Sequence, residues 1–169
     1  MKYSYAGLVN NIARKVYHCY YAIDTFFRES SKFGVKYIFR RNGSDKLLIV
    51  FSGIGGDYNY RRSLKHSSWD QLFIKDDWAK GVSYYLFENG CNRPEQLTSN
   101  FIRNFLSKRK YEKIVTLGSS KGGSAALYFG LKHHVDEIFA GACQYRIGDY
   151  LGIYHEDKNS GYYTNVMGG

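Results

Sequence analysis

An apolar run, Lys113-Ile114-Val115-Thr116-Leu117, stops on Gly118 and is followed at once by Ser119-Ser120-Lys121-Gly122-Gly123. Few short segments constrain a fold as tightly. A buried strand that meets Gly-x-Ser-x-Gly and then a helix must turn so sharply that the positions two before and two after the serine have no room for side chains. Such a turn lifts the Ser120 hydroxyl to the carboxyl edge of a sheet, at the positive end of the next helix. A serine hydroxyl is a poor nucleophile until the backbone fixes it and a base takes its proton, and the turn meets the first of these conditions. A glycine-rich turn without chemistry is the plain alternative. A phosphate loop is disfavoured, because Lys121 precedes Gly122-Gly123 and the Gly-x-x-x-x-Gly-Lys-Ser/Thr spacing is absent. Anion binding at the helix N-terminus stays open.

The segments around the turn alternate between strand and helix. Leu8, Ile12, Val16, Cys19/Tyr20, Ile23 and Phe27 recur every three or four residues, which predicts an amphipathic helix within 5–31. Val35–Arg40 and Lys46–Phe51 read as strands joined through the hairpin dipeptide Asn42-Gly43. Gln71–Lys75 and Val82–Phe87 are further strand candidates. Pro94 opens a helix reaching Lys110, Ser124–His133 is another, and a strand covers Glu137–Cys143. This order predicts one α/β domain over 1–169, α/β-hydrolase-like, with a mostly parallel sheet, helices on both faces and an irregular tail over 148–169.

An oxyanion hole needs two converging N–H donors. Lys121, next after Ser120, supplies one. The glycine loop Ser52-Gly53-Ile54-Gly55-Gly56, which follows an earlier buried strand, supplies the other from Gly53 or Ile54. In such folds the acid and then the histidine come later in the chain. Asp149 is the candidate acid and His155 the candidate base, whereas His133-His134 ends the helix after Ser120 and is expected to cap it, facing away. A complete hydrolase sheet adds strands beyond this point. The expectation is therefore a C-terminally truncated form, or a site that a partner completes.

The net charge of +9 and a pI near 9.4 favour an anionic partner, although the basic residues are scattered and also suit a solvated surface. The 17 Tyr and 11 Phe are expected mainly in core and strands. Three cysteines, widely spaced, suggest neither a disulfide framework nor a zinc site. No stretch approaches the roughly 20 apolar residues that span a bilayer, and Met1 to Ser31 does not read as a signal peptide, so the chain is expected to be soluble and cytoplasmic. No module pairs aromatic with basic residues as nucleic-acid binders do.

The run Thr116-Leu117-Gly118-Ser119-Ser120-Lys121-Gly122-Gly123-Ser124-Ala125-Ala126-Leu127-Tyr128-Phe129-Gly130-Leu131-Lys132 is more specific than a generic turn of this kind. With Tyr58-Asn59-Tyr60-Arg61-Arg62-Ser63-Leu64, Leu72-Phe73-Ile74-Lys75-Asp76-Asp77 and Gln144-Tyr145-Arg146-Ile147-Gly148-Asp149-Tyr150-Leu151, it resembles the XcbB/CpsF family of bacterial capsular polysaccharide biosynthesis proteins. More distantly, it is similar to the glycan O-acetyltransferases of accessory secretion systems. The resemblance covers roughly 46–151. It implies a cytoplasmic role in surface-glycan synthesis by ester transfer to, or cleavage from, a sugar, with the nucleophile at Ser120. We therefore expect a serine esterase or O-acyltransferase with no resident cofactor or metal, acting on an anionic glycan, with an acyl donor such as acetyl-CoA. The rival from another class is a non-catalytic hydrolase-like module that binds an anionic glycan or a biosynthetic partner protein.

Overall fold

A computed structural model of the chain describes residues 5–55 and 57–147. The chain divides into two compact units, one through Ser30 and one from Ser31 onward. The first is helix α1 (Tyr5–Arg28), where the three-to-four-residue apolar spacing predicted it. Val9, Ile12, Val16, Tyr20, Ile23 and Phe27 remain exposed along its stripe. Among the described residues no helix is long and apolar enough to cross a membrane.

Among the described residues the sheet has six strands: β1 (Ser30–Lys32), β2 (Val35–Arg40), β3 (Lys46–Phe51), β4 (Asp70–Lys75), β5 (Lys113–Ser119) and β6 (Glu137–Gly141). They lie in the order β1-β2-β4-β3-β5-β6. β3 pairs parallel with both β4 and β5, β5 pairs parallel with β6, and β2 runs antiparallel to β4. The expected β2–β3 hairpin is therefore absent, since β4 separates the two strands. Asn42-Gly43 still turns the chain, with Gly43 at φ 80°, but it is pinned to the start of β4. The Asn42 N–H donates to Asp70 Oδ1 at 2.8 Å, and its side-chain amide donates to Trp69 O at 2.7 Å. A turn dipeptide supplies the reversal; which strand accepts the partner is decided by the sheet.

Alternate residues of the strands face opposite ways. Leu47, Ile49 and Phe51 of β3, with Leu72 and Ile74 of β4, meet Phe101 and Ile102 of helix α2 (Arg93–Leu106) and Ala125, Ala126 and Phe129 of helix α3 (Lys121–Lys132). Leu48, Val50, Phe73 and Val115 face the other way and are covered by Tyr58, Tyr60, Leu64 and Trp69. Phe51, Tyr85, Phe101, Tyr111 and Phe129 are the aromatic members of the first cluster. Phe51 stacks on Phe129 at 5.5 Å and meets Tyr85 edge-on at 5.4 Å, the core role expected of the Tyr and Phe load. A fully buried side chain of this size contributes about 1.5–3 kcal/mol relative to leaving it in water.

The strand expected over Val82–Phe87 does not form. Tyr84 and Tyr85 take φ of 54° and 59°, incompatible with an extended run. The apolar pattern there has another cause: Tyr84 and Tyr85 are buried as turn residues, and the Ser83 hydroxyl accepts the Tyr85 N–H at 2.9 Å.

Candidate active site

Three parallel strands, β3, β5 and β6, end on the same sheet edge as β4, and the turn between β5 and α3 sits in their midst. Ser120 occupies φ 53°, ψ −127°, a backbone conformation that side-chain-bearing residues hold only where the surroundings impose it. The surroundings are glycines. A Cβ on Gly118 would lie 1.9 Å from the Gly122 carbonyl oxygen, and one on Gly122 would lie 2.5 Å from the Phe51 carbonyl oxygen at the end of β3. No side chain fits either gap, so β5 and α3 meet backbone to backbone on either side of Ser120. The Ser120 N–H donates to Gly141 O of β6 at 2.9 Å, which fixes the turn from the other side. Ser120 is half-buried, at the N-terminus of α3. Its hydroxyl has no hydrogen-bond partner among the described residues.

The glycine loop after β3 lies beside this turn: a Cβ on Gly53 would be 3.7 Å from Ser119 O. The Gly53 N–H donates to Asn59 Oδ1 at 3.3 Å. The N–H groups of Ile54 and Lys121, by contrast, donate to no described group. Gly55 takes φ 106° with open space around its Cβ position, so glycine is needed there for its backbone angle.

Beneath the turn lies a polar cluster that the sequence did not suggest. The Lys121 side chain is fully buried; its Nζ donates to Asp76 Oδ2 at 2.8 Å and to Gly81 O at 2.5 Å. Burial pushes the Lys121 pKa down, and the Asp76 carboxylate opposes this without cancelling it. Asp76, just past β4 and also fully buried, accepts the Ser83 hydroxyl on Oδ1 at 2.6 Å. The Asp76 N–H donates to Ser52 Oγ at 3.1 Å. The Tyr85 hydroxyl takes the Ser52 N–H at 2.7 Å and lies 3.0 Å from Ile74 O, to which it donates. Burial, then the Asp76 charge, raises the Tyr85 pKa well above its ordinary value, so the hydroxyl keeps its proton. In the sequence, the small residues Gly122, Gly123, Ser124, Ala125 and Ala126 after Lys121 mark a closely packed helix start, but nothing local names the carboxylate that meets the lysine.

The candidate acid Asp149 and base His155 lie outside the described residues. His133 caps α3 as expected, its Nε2 3.2 Å from Ser99 Oγ. Among the described residues no histidine ring hydrogen-bonds Ser120. No group of residues there could hold a metal ion.

No family model and no curated protein matches the sequence. Solved structures do match. A capsule O-acetyltransferase of Neisseria meningitidis serogroup A, in complex with caged gadolinium, is similar at TM-score 0.64 and 26% identity, over 81% of this chain and 60% of its own. A histidine-to-alanine variant of that enzyme in complex with CoA gives TM-score 0.62 and 23% identity, over 76% of this chain and 56% of its own. The Glycosylation Associate Protein (Gap123) complex of Streptococcus agalactiae gives TM-score 0.63 and 20% identity, over 77% of this chain and 26% of its own. The chain thus spans less than two thirds of the length of the acetyltransferase chains. These likenesses establish an α/β-hydrolase-like fold.

Proposed function

We propose that this chain carries the nucleophilic part of an O-acyltransferase site, moving an acetyl group from a CoA thioester to a hydroxyl of a bacterial capsular glycan. The observation that carries the proposal is the backbone of Ser120. It is held at φ 53° on a strand-to-helix turn, and among the described residues its hydroxyl and the N–H groups of Ile54 and Lys121, at the same sheet edge, have no hydrogen-bond partner. The likeness to the capsule O-acetyltransferase supports the acyl-transfer class. The motif resemblance to the XcbB/CpsF family supports a capsular acceptor, and the +9 charge suits an anionic one.

In this mechanism Ser120 Oγ attacks the thioester carbonyl and gives its proton to a histidine, for which His155 is the candidate, oriented by Asp149. The carbonyl oxygen becomes an oxyanion between the Ile54 and Lys121 N–H groups. The intermediate collapses, the C–S bond breaks, and CoA leaves as the thiol with that proton, leaving an acetyl ester on Ser120. A sugar hydroxyl then attacks the ester and gives its own proton to the histidine, the bond to Ser120 breaks, and that proton passes to Ser120 Oγ. The helix dipole of α3 favours the negative charge at both stages. A cytoplasmic reaction belongs to the same proposal, because its donor is a CoA thioester.

The test is labelling by a fluorophosphonate, together with acetyl transfer from acetyl-CoA to capsular polysaccharide followed by mass spectrometry. Ser120→Ala is expected to abolish both while Ser119→Ala retains both. Equal labelling of the Ser120→Ala protein overturns the nucleophile and favours the glycan-binding module.

A further inference from the structure

The two N–H groups assigned to the oxyanion hole follow different strands, Ile54 in the loop after β3 and Lys121 at the start of α3 after β5. A continuous set of buried side-chain contacts joins the residues that carry them. Lys121 Nζ reaches Asp76 at 2.8 Å, the Asp76 N–H reaches Ser52 Oγ at 3.1 Å, and Ser52 directly precedes Gly53-Ile54. Tyr85 holds the same serine by its N–H at 2.7 Å and its hydroxyl at 2.7 Å. Tyr85 is itself tied in: Lys121 Nζ sits 5.3 Å from its ring centroid, and Ser83 bridges the Tyr85 N–H to Asp76. Lys121, Asp76, Ser83 and Ser52 are all buried, so these contacts are sheltered from exchange with solvent.

We infer that the Lys121 side chain, with Asp76, Ser52 and Tyr85, is a positioning device that sets the Ile54 N–H against the Lys121 N–H, so that one residue supplies a donor and fixes the other. This rests on the proposed acyl-transfer site. The residue after the nucleophile contributes its amide to the hole, while its ammonium, two hydrogen bonds away from Ser52, holds the neighbouring strand end. A misplacement of about 1 Å in such a site costs on the order of 100-fold in rate. The tyrosine hydroxyl is therefore needed for turnover although it touches no reacting atom.

The experiment compares wild type with Tyr85→Phe, Lys121→Arg and Lys121→Met, by the rate of fluorophosphonate inactivation, by kcat and KM for acetyl-CoA, and by urea midpoint. Tyr85→Phe removes one hydroxyl and retains the ring. It is expected to keep a cooperative unfolding transition while inactivation and kcat fall ~10–100-fold with KM changed less than about twofold. Lys121→Met is expected to fall at least as far, and Lys121→Arg to recover part of the loss by keeping the charge on Asp76. If Lys121→Met does not fold, Tyr85→Phe decides. Wild-type rates in folded Tyr85→Phe overturn the positioning device while leaving the nucleophile standing. Absence of Ser120 labelling in wild type overturns the acyl-transfer site and the device with it.

Discussion

Strand β4 bears a buried aspartate at each end, held in opposite ways. Asp70 opens the strand at the amino edge, away from the candidate site. Its carboxylate accepts the N–H groups of Asn42 and Ser44, the Tyr111 hydroxyl and Arg109 Nη1, whose side chain is 34% exposed. Asp76 follows the strand at the carboxyl edge and meets a lysine as buried as itself. Burial alone would raise the Asp70 pKa, but the two backbone N–H bonds, Tyr111 and Arg109 outweigh it and hold the carboxyl below its usual range. Tyr111 answers in kind: burial first, then the Asp70 bond and charge, push it up to about 12. At the amino edge three neutral donors and one partly exposed guanidinium share one carboxylate, which ties the loops there together. At the carboxyl edge one buried lysine meets one buried carboxylate directly. That pair contributes little net stability, because desolvation offsets its attraction. A buried charge pair retained directly beneath a strained serine fits a role in the site better than a role in stability.

The sharpest way to break the comparison is to delete each aspartate. Asp76→Ala leaves the Lys121 ammonium buried against Gly81 O alone, and is expected to cost ~3–5 kcal/mol, read from the urea midpoint. Adding Lys121→Met to Asp76→Ala removes the orphaned charge and is expected to restore part of that loss. A double variant no more stable than the single one would show that the two groups are not coupled. Asp70→Ala is expected to cost less, ~1–3 kcal/mol, because Arg109 can turn to solvent, and acetyl transfer per folded molecule should stay at the wild-type level. Equal activity losses for the Asp70 and Asp76 variants would erase the distinction between the two edges.

Acid sharpens it. The folded pKa of Asp70 is depressed, so the stability it contributes is present above its unfolded pKa of about 3.9 and is lost as pH falls through the folded value. Urea midpoints taken from about pH 6 down to about pH 2 should fall less steeply in Asp70→Asn than in wild type. Parallel curves would mean that Asp70 is not the group that titrates.

The smallest effect separates two glycines. Gly43 at the amino edge and Gly55 at the carboxyl edge have φ of 80° and 106°, and neither has an atom within 4 Å of its Cβ position. Alanine at either is strained by its backbone angle and should cost ~1–2 kcal/mol. Only Gly55→Ala should also lower acetyl transfer, by shifting the Ile54 N–H. Equal activity for both would reduce the Gly55 loop to a turn.

Much of this was legible from local pattern. Helix α1, strands β2, β3, β4 and β5, and the turn at Ser120 follow from periodicity, apolar runs and glycine spacing, which act over a few residues. Where the sequence misled, contacts distant in the chain had intervened. Asn42-Gly43 has the chemistry of a hairpin turn, yet β4, more than 25 residues on, took the place beside β2. Val82–Phe87 has the composition of a strand, yet Tyr85 turns its hydroxyl onto Ser52, 33 residues away.

The sequence by itself determined the strand-to-helix turn at Ser120, because Gly118 and Gly122 leave room for nothing else. It also determined that aromatic side chains would fill the core. Only the tertiary structure decided what lies under that turn. Whether Lys121 is a surface charge or a buried partner of Asp76 depends on a carboxylate 45 residues earlier in the chain and on a sheet order that brings β4 within reach of β5's helix. Electrostatic pairing of this kind depends on distance and dielectric in the folded state, and neither can be read along a chain.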